Sequence, residues 1–410
     1  MADVRAFRAL RYDERAAGPL SDLVSPPYDV LSPERRATLA ARSPLAFVHV
    51  ELPREDTAGY AYAAELLREW REAGALRRDP LPALYVHDHE FTLHGARLTR
   101  RGVFVALRLH EPAEGVVLPH ERTFPKAKAD RLELLRATRA NTSPVFGMID
   151  AGRAIAALAT AAREVARADV DGETHRLGMV TDSVAIAGFE AVVRERRVYI
   201  ADGHHRFETA LNYANERHAE PDAPERFTLA SLSALDDPGL RILGTHRIIV
   251  GGAAALDAAI ARSFVASPID RGAVGDTQPG IVLVRGGRFV RLEPRTDADR
   301  SSMPAAWREL PVAIAEELLI KDAREAGAEV RYEHDMDRAI DAARDGAAVL
   351  IRAVDPATLR SVADAGERLP QKTTYFYPKV PAGLVIRSLD IDRAPIPSPR
   401  ATRHGDRRRE

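Results

Sequence analysis

Apolar and polar positions along the chain follow two periods, and the two are interleaved from one end to the other. Runs rich in β-branched and aromatic residues predict strands at 83–93 ("ALYVHDHEFTL"), 100–109 ("RRGVFVALRL"), 174–180, 197–201, 227–235 and 246–252. "PGIVLVRGGRFVRL" at 279–292 sets Gly-Gly between two apolar runs and predicts a hairpin; 347–354 reads as a buried strand. Helical spacing predicts helices over 57–73, 130–141, 151–167, 183–195, 311–326, 336–345 and 356–367. In 183–195 the expected inward face is Val184, Ala187, Gly188, Ala191 and Val192. Phe207, Ala210, Leu211 and Ala214 fall at i, i+3, i+4 and i+7 of another helix. Ser32 before Pro33 reads as an N-cap with proline at the first helical position.

Strands and helices therefore intermix, and the hairpin argues against a purely parallel sheet. The expected class is α/β shading into α+β, with mixed sheets and flanking helices. With 410 residues, the chain exceeds the size at which a single core stops growing. The expected organisation is an N-terminal α/β subdomain (1–115), a central subdomain (116–250) and a C-terminal α+β subdomain (251–393). The tail at 394–410 has little to bury and reads as disordered.

Composition narrows the chemistry. The net charge is −1, so no overall basic field favours nucleic acid. There are no cysteines, which removes disulfides, thiolate metal sites and cysteine nucleophiles. The first residues lack the apolar stretch of a signal peptide, and no apolar run approaches the length of a membrane span. A soluble cytoplasmic protein is the expectation.

Chemistry concentrates in "YIADGHHRFETALNYA" (199–214), where an apolar run ends and a helical pattern begins. Asp202 is placed to cap that helix, and Gly203 permits a sharp turn and close approach to the backbone. The opening amides of a helix attract anions, phosphate above all. Arg206 can add a bidentate grip on phosphate oxygens; His204 and His205 can move protons or ligate a metal. Adjacent side chains do not share a helix face, so at most one histidine points at a given ligand.

This segment closely resembles the signature of the DUF1015 family. "SPPYDVLSPE" (25–34), "LPHERTFPKAKADRLELLRATRANTSPVFGM" (118–148), "THR" (245–247) and "LPQKTTYFYPKVPAGLV" (369–385) match in the family's order, so the resemblance spans about residues 5–390. "DGHHR" between a strand and a helix also resembles the phosphate-binding motif of the ParB/sulfiredoxin superfamily. That group includes nucleotide-hydrolysing partition proteins, sulfiredoxin and ADP-dependent free serine kinases. The resemblance implies a central ParB/sulfiredoxin-like strand–turn–helix core that cradles phosphates with Asp202 to Arg206.

Other polar clusters complete the candidate site. Residues 118–131 offer His120, Glu121, Arg122, Thr123, Lys126, Lys128, Asp130 and Arg131. A carboxylate beside a histidine can take a hydroxyl proton or help hold Mg²⁺, with Glu121 and Asp202 as the candidate ligands. Asn141 can contact a small substrate, as can Asp29 in its proline-bounded turn; Lys372 and Thr373 can contact phosphate. Thr245, His246 and Arg247 can wall the site. His87 and His89 share one face of their strand, but no third ligand at readable spacing accompanies them. "DGETHR" (171–176) echoes "DGHHR" over too few residues to indicate duplication.

The expectation that follows is a phosphoryl-transfer enzyme acting on a small hydroxylated metabolite, such as a kinase of free serine. ADP or ATP would be co-substrate and Mg²⁺ the metal. Glu121 or Asp202 would be the base, with Arg206 and His205 on the phosphates. A phosphatase of phosphoserine or a similar monoester keeps the same site with water as acceptor. A nucleotide-gated binding protein is the third alternative, but no basic helix-turn-helix supports it.

Overall fold

The computed structural model describes residues 1–53, 57–121, 125–275, 280–370 and 372–390. The expectations for Arg122, Thr123, the Lys126 side chain and the tail fall outside the described positions.

Among the described residues, two large sheets and three two-stranded ones, with flanking helices, make a mixed α/β arrangement. The larger sheet has nine strands among the described residues. Its path runs Val117–Pro119, Val198–Asp202, Val145–Ile149, Phe227–Ala234, Ala96–Arg108, Leu84–Leu93, Glu173–Val180 and Arg163–Val170, and Val4–Arg5 pairs beside Ala96–Arg108. Val198–Asp202 lies parallel to Val117–Pro119, and Phe227–Ala234 parallel to Val145–Ile149; the other neighbours are antiparallel. Strands from both sides of residue 115 share this one sheet.

Both faces of the larger sheet are covered, so Val145–Ile149 and Phe227–Ala234 are buried at every position. Leu84, Val86, Val103 and Val105 pack on one face against Phe189, Val193, Phe207 and Leu211 of two helices. Tyr85, Phe104 and Ala106 belong to the core on the other face. Each fully buried large side chain contributes about 1.5–3 kcal/mol of transfer free energy.

Among the described residues, the smaller sheet has six strands, all antiparallel to their neighbours, in the order Phe264–Ile269, Arg288–Pro294, Ile281–Arg285, Ala347–Ile351, His246–Val250 and Glu329–Glu333. The hairpin expected at 279–292 is present, and Gly286 and Gly287 both take positive φ in its turn. The C-terminal segment then returns to the rest of the chain. Thr374–Tyr377 pairs with Arg241–Gly244, and Arg387–Ser388 with Ala140–Asn141.

Two local expectations are corrected. The helix read at 151–167 stops at Thr160, and Arg163–Val170 is a strand paired with Glu173–Val180. Asp171 and Gly172, both at positive φ, form the two-residue turn that joins them. The pairing turns alternate side chains inward, which overrides the alanine-rich helical signal. "DGETHR" is thus a hairpin turn and "DGHHR" a strand-to-helix junction. In Ser183–Arg194 the inward residues are Phe189 and Val193, while Val184 is 79% exposed. The larger side chains choose the buried face because they remove more apolar area from water.

Candidate functional site

The strand Val198–Asp202 delivers the chain to Gly203, whose φ of 84° suits a residue without Cβ. The helix His204–Glu216 starts there, and its first intrahelical bond runs from Phe207 N–H to Gly203 O at 3.0 Å. The apolar stripe Phe207, Ala210, Leu211 and Ala214 is buried as expected. The helix therefore anchors through its far side, with its N-terminal turn toward a cleft.

Asp202 does not cap this helix; the N-cap is Gly203, with no side-chain bond. Asp202 Oδ1 instead lies 2.5 Å from Lys379 Nζ, and Oδ2 2.6 Å from Arg206 Nη2. Desolvation favours the neutral acid, but the two cations outweigh it and hold Asp202 ionised far below the usual carboxylate range.

The cleft has a volume of about 270 Å³. Asp29 enters it from the turn Tyr28–Val30, Glu121 from beyond Val117–Pro119, and Gly203, His204 and His205 from the junction. Thr245, Glu333 and His334 come from the smaller sheet and its flanks, and Lys372, Thr374, Tyr375 and Lys379 from the C-terminal segment. The cleft thus lies where the two sheets and the returning chain meet.

Two polar groups are poised for proton chemistry. Glu121 accepts a bond from the Lys372 N–H at 3.2 Å, and desolvation pushes its pKa up to about 7. His205 is half-buried at the cleft, and desolvation lowers its pKa, so its ring is uncharged near neutrality. His204 is more constrained. Its Nε2 accepts the His120 N–H at 3.3 Å, and burial keeps it neutral.

His120 lies beneath the cleft. Its Nδ1 donates to Ile200 O at 2.6 Å, so Nε2 accepts from Thr374 Oγ1 at 3.1 Å. Burial drops its pKa to about 4. It positions Thr374 and the Ile200 backbone and does not line the cleft.

Several expected contacts lie elsewhere. The Arg206 guanidinium is spent on Asp202 and on the Pro144 carbonyl, so it steadies the junction from behind. Arg131 donates to Glu51 O at 2.7 Å and stacks over the Tyr28 ring at 4.1 Å. Asn141 Oδ1 accepts from Leu229 N–H at 3.0 Å and from Arg387 Nη1 at 3.1 Å. Arg131, Asn141 and Arg206 border a separate cavity of about 40 Å³. Thr373 is 2% exposed and donates to Pro370 O at 2.5 Å, whereas Thr374 faces the cleft. Thr245 reaches the cleft, but His246 and Arg247 turn inward; His246 Nδ1 accepts the Ile351 N–H at 3.1 Å.

Sequence reasoning missed Lys379, the partner of Asp202. A signal was available: only five of the 59 basic residues are lysine, and four of those five sit in the segments 126–128 and 372–379. It also missed Glu51, a buried carboxylate that accepts from Thr142 and Ser143 hydroxyls at 2.8 Å each.

As a Mg²⁺ ligand, Asp202 does not fit, because both its oxygens already face cations at hydrogen-bond distance. Asp29, Glu121 and Glu333 are carboxylates that remain at the cleft.

Residues 4–313 match the model of a family described as "Protein of unknown function (DUF1015)". The chain belongs to the DUF1015 family. No curated protein matches this DUF1015 chain. Among solved structures, it is similar to a conserved hypothetical protein from Pyrococcus furiosus at 12% identity and a TM-score of 0.37, covering 70% of this chain and 95% of that one. A free serine kinase in complex with AMP is 13% identical at a TM-score of 0.35, covering 67% and 86%. SbnI with C-terminal truncation, from Staphylococcus aureus, is 10% identical at 0.39, covering 68% and 87%. Among the described residues, no helix of this DUF1015 protein is long and apolar enough to cross a membrane.

Proposed function

We propose that this cleft transfers a phosphoryl group between a nucleotide such as ADP or ATP and a hydroxyl of a small metabolite, free serine being the first candidate. One observation carries the reading. A helix N-terminus, two lysines and a carboxyl with a pKa of about 7 converge on one cleft of about 270 Å³. The amides after Gly203 and the Lys372 ammonium suit phosphate oxygens. Glu121 suits the acceptor: as its hydroxyl oxygen attacks phosphorus, the proton passes to Glu121 and the bond to the leaving nucleotide breaks. Asp29 and Glu333 give the cleft negative charge for a substrate ammonium. Mg²⁺ belongs to the incoming nucleotide in this reading, and no step is routed through a resident ion.

The test is a thermal-shift panel of ATP, ADP, CTP, pyrophosphate, serine and phosphoserine, each with and without Mg²⁺. A ligand at a hundredfold its Kd stabilises the native state by about 2.7 kcal/mol. Stabilisation by a nucleotide, lost in Lys372→Ala, supports the reading. A chain that responds to none of these ligands overturns it. Phosphate release from phosphoserine without nucleotide replaces the kinase with a phosphatase.

A further inference from the structure

Three histidines lie together in the larger sheet, apart from the machinery above. His87 and His89 are two residues apart on Leu84–Leu93 and share a face. On the neighbouring strand His175 pairs in register with His89. His87 Nε2 lies 3.2 Å from His175 Nδ1, and the His89 and His175 ring centres are 4.1 Å apart. One ring nitrogen from each of the three falls within 4.8 Å of the others. Glu173 adds a carboxylate oxygen 2.7 Å from His89 Nε2.

We infer that His87, His89 and His175, with Glu173 as the carboxylate partner of His89, form a binding site for a borderline transition-metal dication of the zinc class. Tetrahedral ligands about 2.0–2.1 Å from zinc stand roughly 3.4 Å apart. The His87–His175 pair is already at that spacing, and the other nitrogen separations, none above 4.8 Å, close when the metal loads. A neutral imidazole has one ring-nitrogen lone pair to give a metal. The donor set selects the metal: three imidazole nitrogens suit Zn²⁺, Co²⁺ or Ni²⁺ over Mg²⁺ or Ca²⁺. Arg100 Nη2 donates to His89 Nδ1 at 3.4 Å, a contact that a metal bound through that nitrogen would displace.

The location indicates what the metal does. The histidines are buried, and Glu173 Oε1 accepts from Tyr377 Oη at 3.4 Å. A metal there clamps two strands and, through Glu173, steadies the strand that carries Thr374 and Tyr375 to the cleft. It is a structural clamp and takes no part in phosphoryl transfer.

The experiment uses the full chain, stripped with a chelator and reloaded with Zn²⁺ or Co²⁺ in excess Mg²⁺. Expected are one equivalent of metal retained through desalting, visible bands of nitrogen-bound cobalt, and a higher melting temperature on loading. His87→Gln and His175→Gln, checked for folding by circular dichroism, each lose at least about tenfold in affinity; Glu173→Gln loses about tenfold. Glu121→Gln at the cleft binds metal like the parent. The inference is overturned if the parent chain retains no metal, or if the histidine variants bind as it does. Loss of binding in Glu121→Gln also overturns it, because the metal then sits in the cleft. If the histidine variants do not fold, the parent chain's cobalt spectrum alone decides, since bands without nitrogen ligation count against the site.

Discussion

Lys379 Nζ meets Asp202 Oδ1 at 2.5 Å across 177 residues of sequence, and Arg206 holds the other oxygen of the same carboxylate. One buried anion thus joins the strand-to-helix junction to the C-terminal segment. Its two partners are unequal to it in consequence: removing the anion strands two cations, and removing either cation leaves the anion paired. Asp202→Asn is expected to cost about 3–5 kcal/mol, and Lys379→Met distinctly less. Urea denaturation of both variants measures the difference, and equal costs would contradict the shared-anion account.

Glu121 links stability and reactivity in opposite directions. Its folded pKa is raised from 4.5 to about 7, so between those values the folded state binds the proton more tightly than the unfolded chain. Stability from this group is complete at low pH and is lost as pH rises through about 7. Glu121→Gln should therefore be more stable than the parent near pH 8 by about 2–3 kcal/mol, and no more stable near pH 4. The base needs the ionised form, so the parent's turnover should rise with pH to a plateau above about 7. The Gln variant should lose about 10²–10⁴-fold in rate. Denaturation curves and rate profiles over the same pH range check both halves.

Gly203 and Gly188 offer a matched pair. Gly203 has φ of 84°, and an added Cβ would stand 2.9 Å from Arg206 Nε. Gly203→Ala should cost about 1–3 kcal/mol and disturb the helix start at the cleft. Gly188 sits in Ser183–Arg194 with nothing within 4 Å of an added Cβ. Gly188→Ala should stabilise by about 0.5–1 kcal/mol. Melting temperatures of the two variants should move in opposite directions.

Asn141 tests the separation of the two cavities. Its side-chain oxygen satisfies Leu229 N–H and Arg387 inside the fold. Asn141→Ala should cost about 1–3 kcal/mol by stranding buried donors, while ligand-induced thermal shifts keep their size. A loss of ligand response in a chain that still folds would return Asn141 to the site.

The elements that the sequence displayed best are those in which local signals agree. The hairpin at Gly286–Gly287, the Ser32 cap before Pro33, and the buried stripe from Phe207 to Ala214 needed no distant information. The misread elements are those in which a neighbour outvoted the local signal. Arg163–Val170 became a strand because Glu173–Val180 lies beside it, and Ser183–Arg194 turned Phe189 inward because the sheet offered that side chain a place.

The site divides in the same way. The sequence by itself determined the strand–glycine–helix junction, since a turn at positive φ and an apolar stripe are local properties of the chain. Only the tertiary structure decided which groups face one another. It gave Asp202 to Lys379, sent Arg206, Arg131 and Asn141 behind the cleft, and set His175 opposite His89. Such meetings depend on strand register and on the return path of distant segments. Packing over the whole chain fixes both, and no periodicity within a short window encodes either.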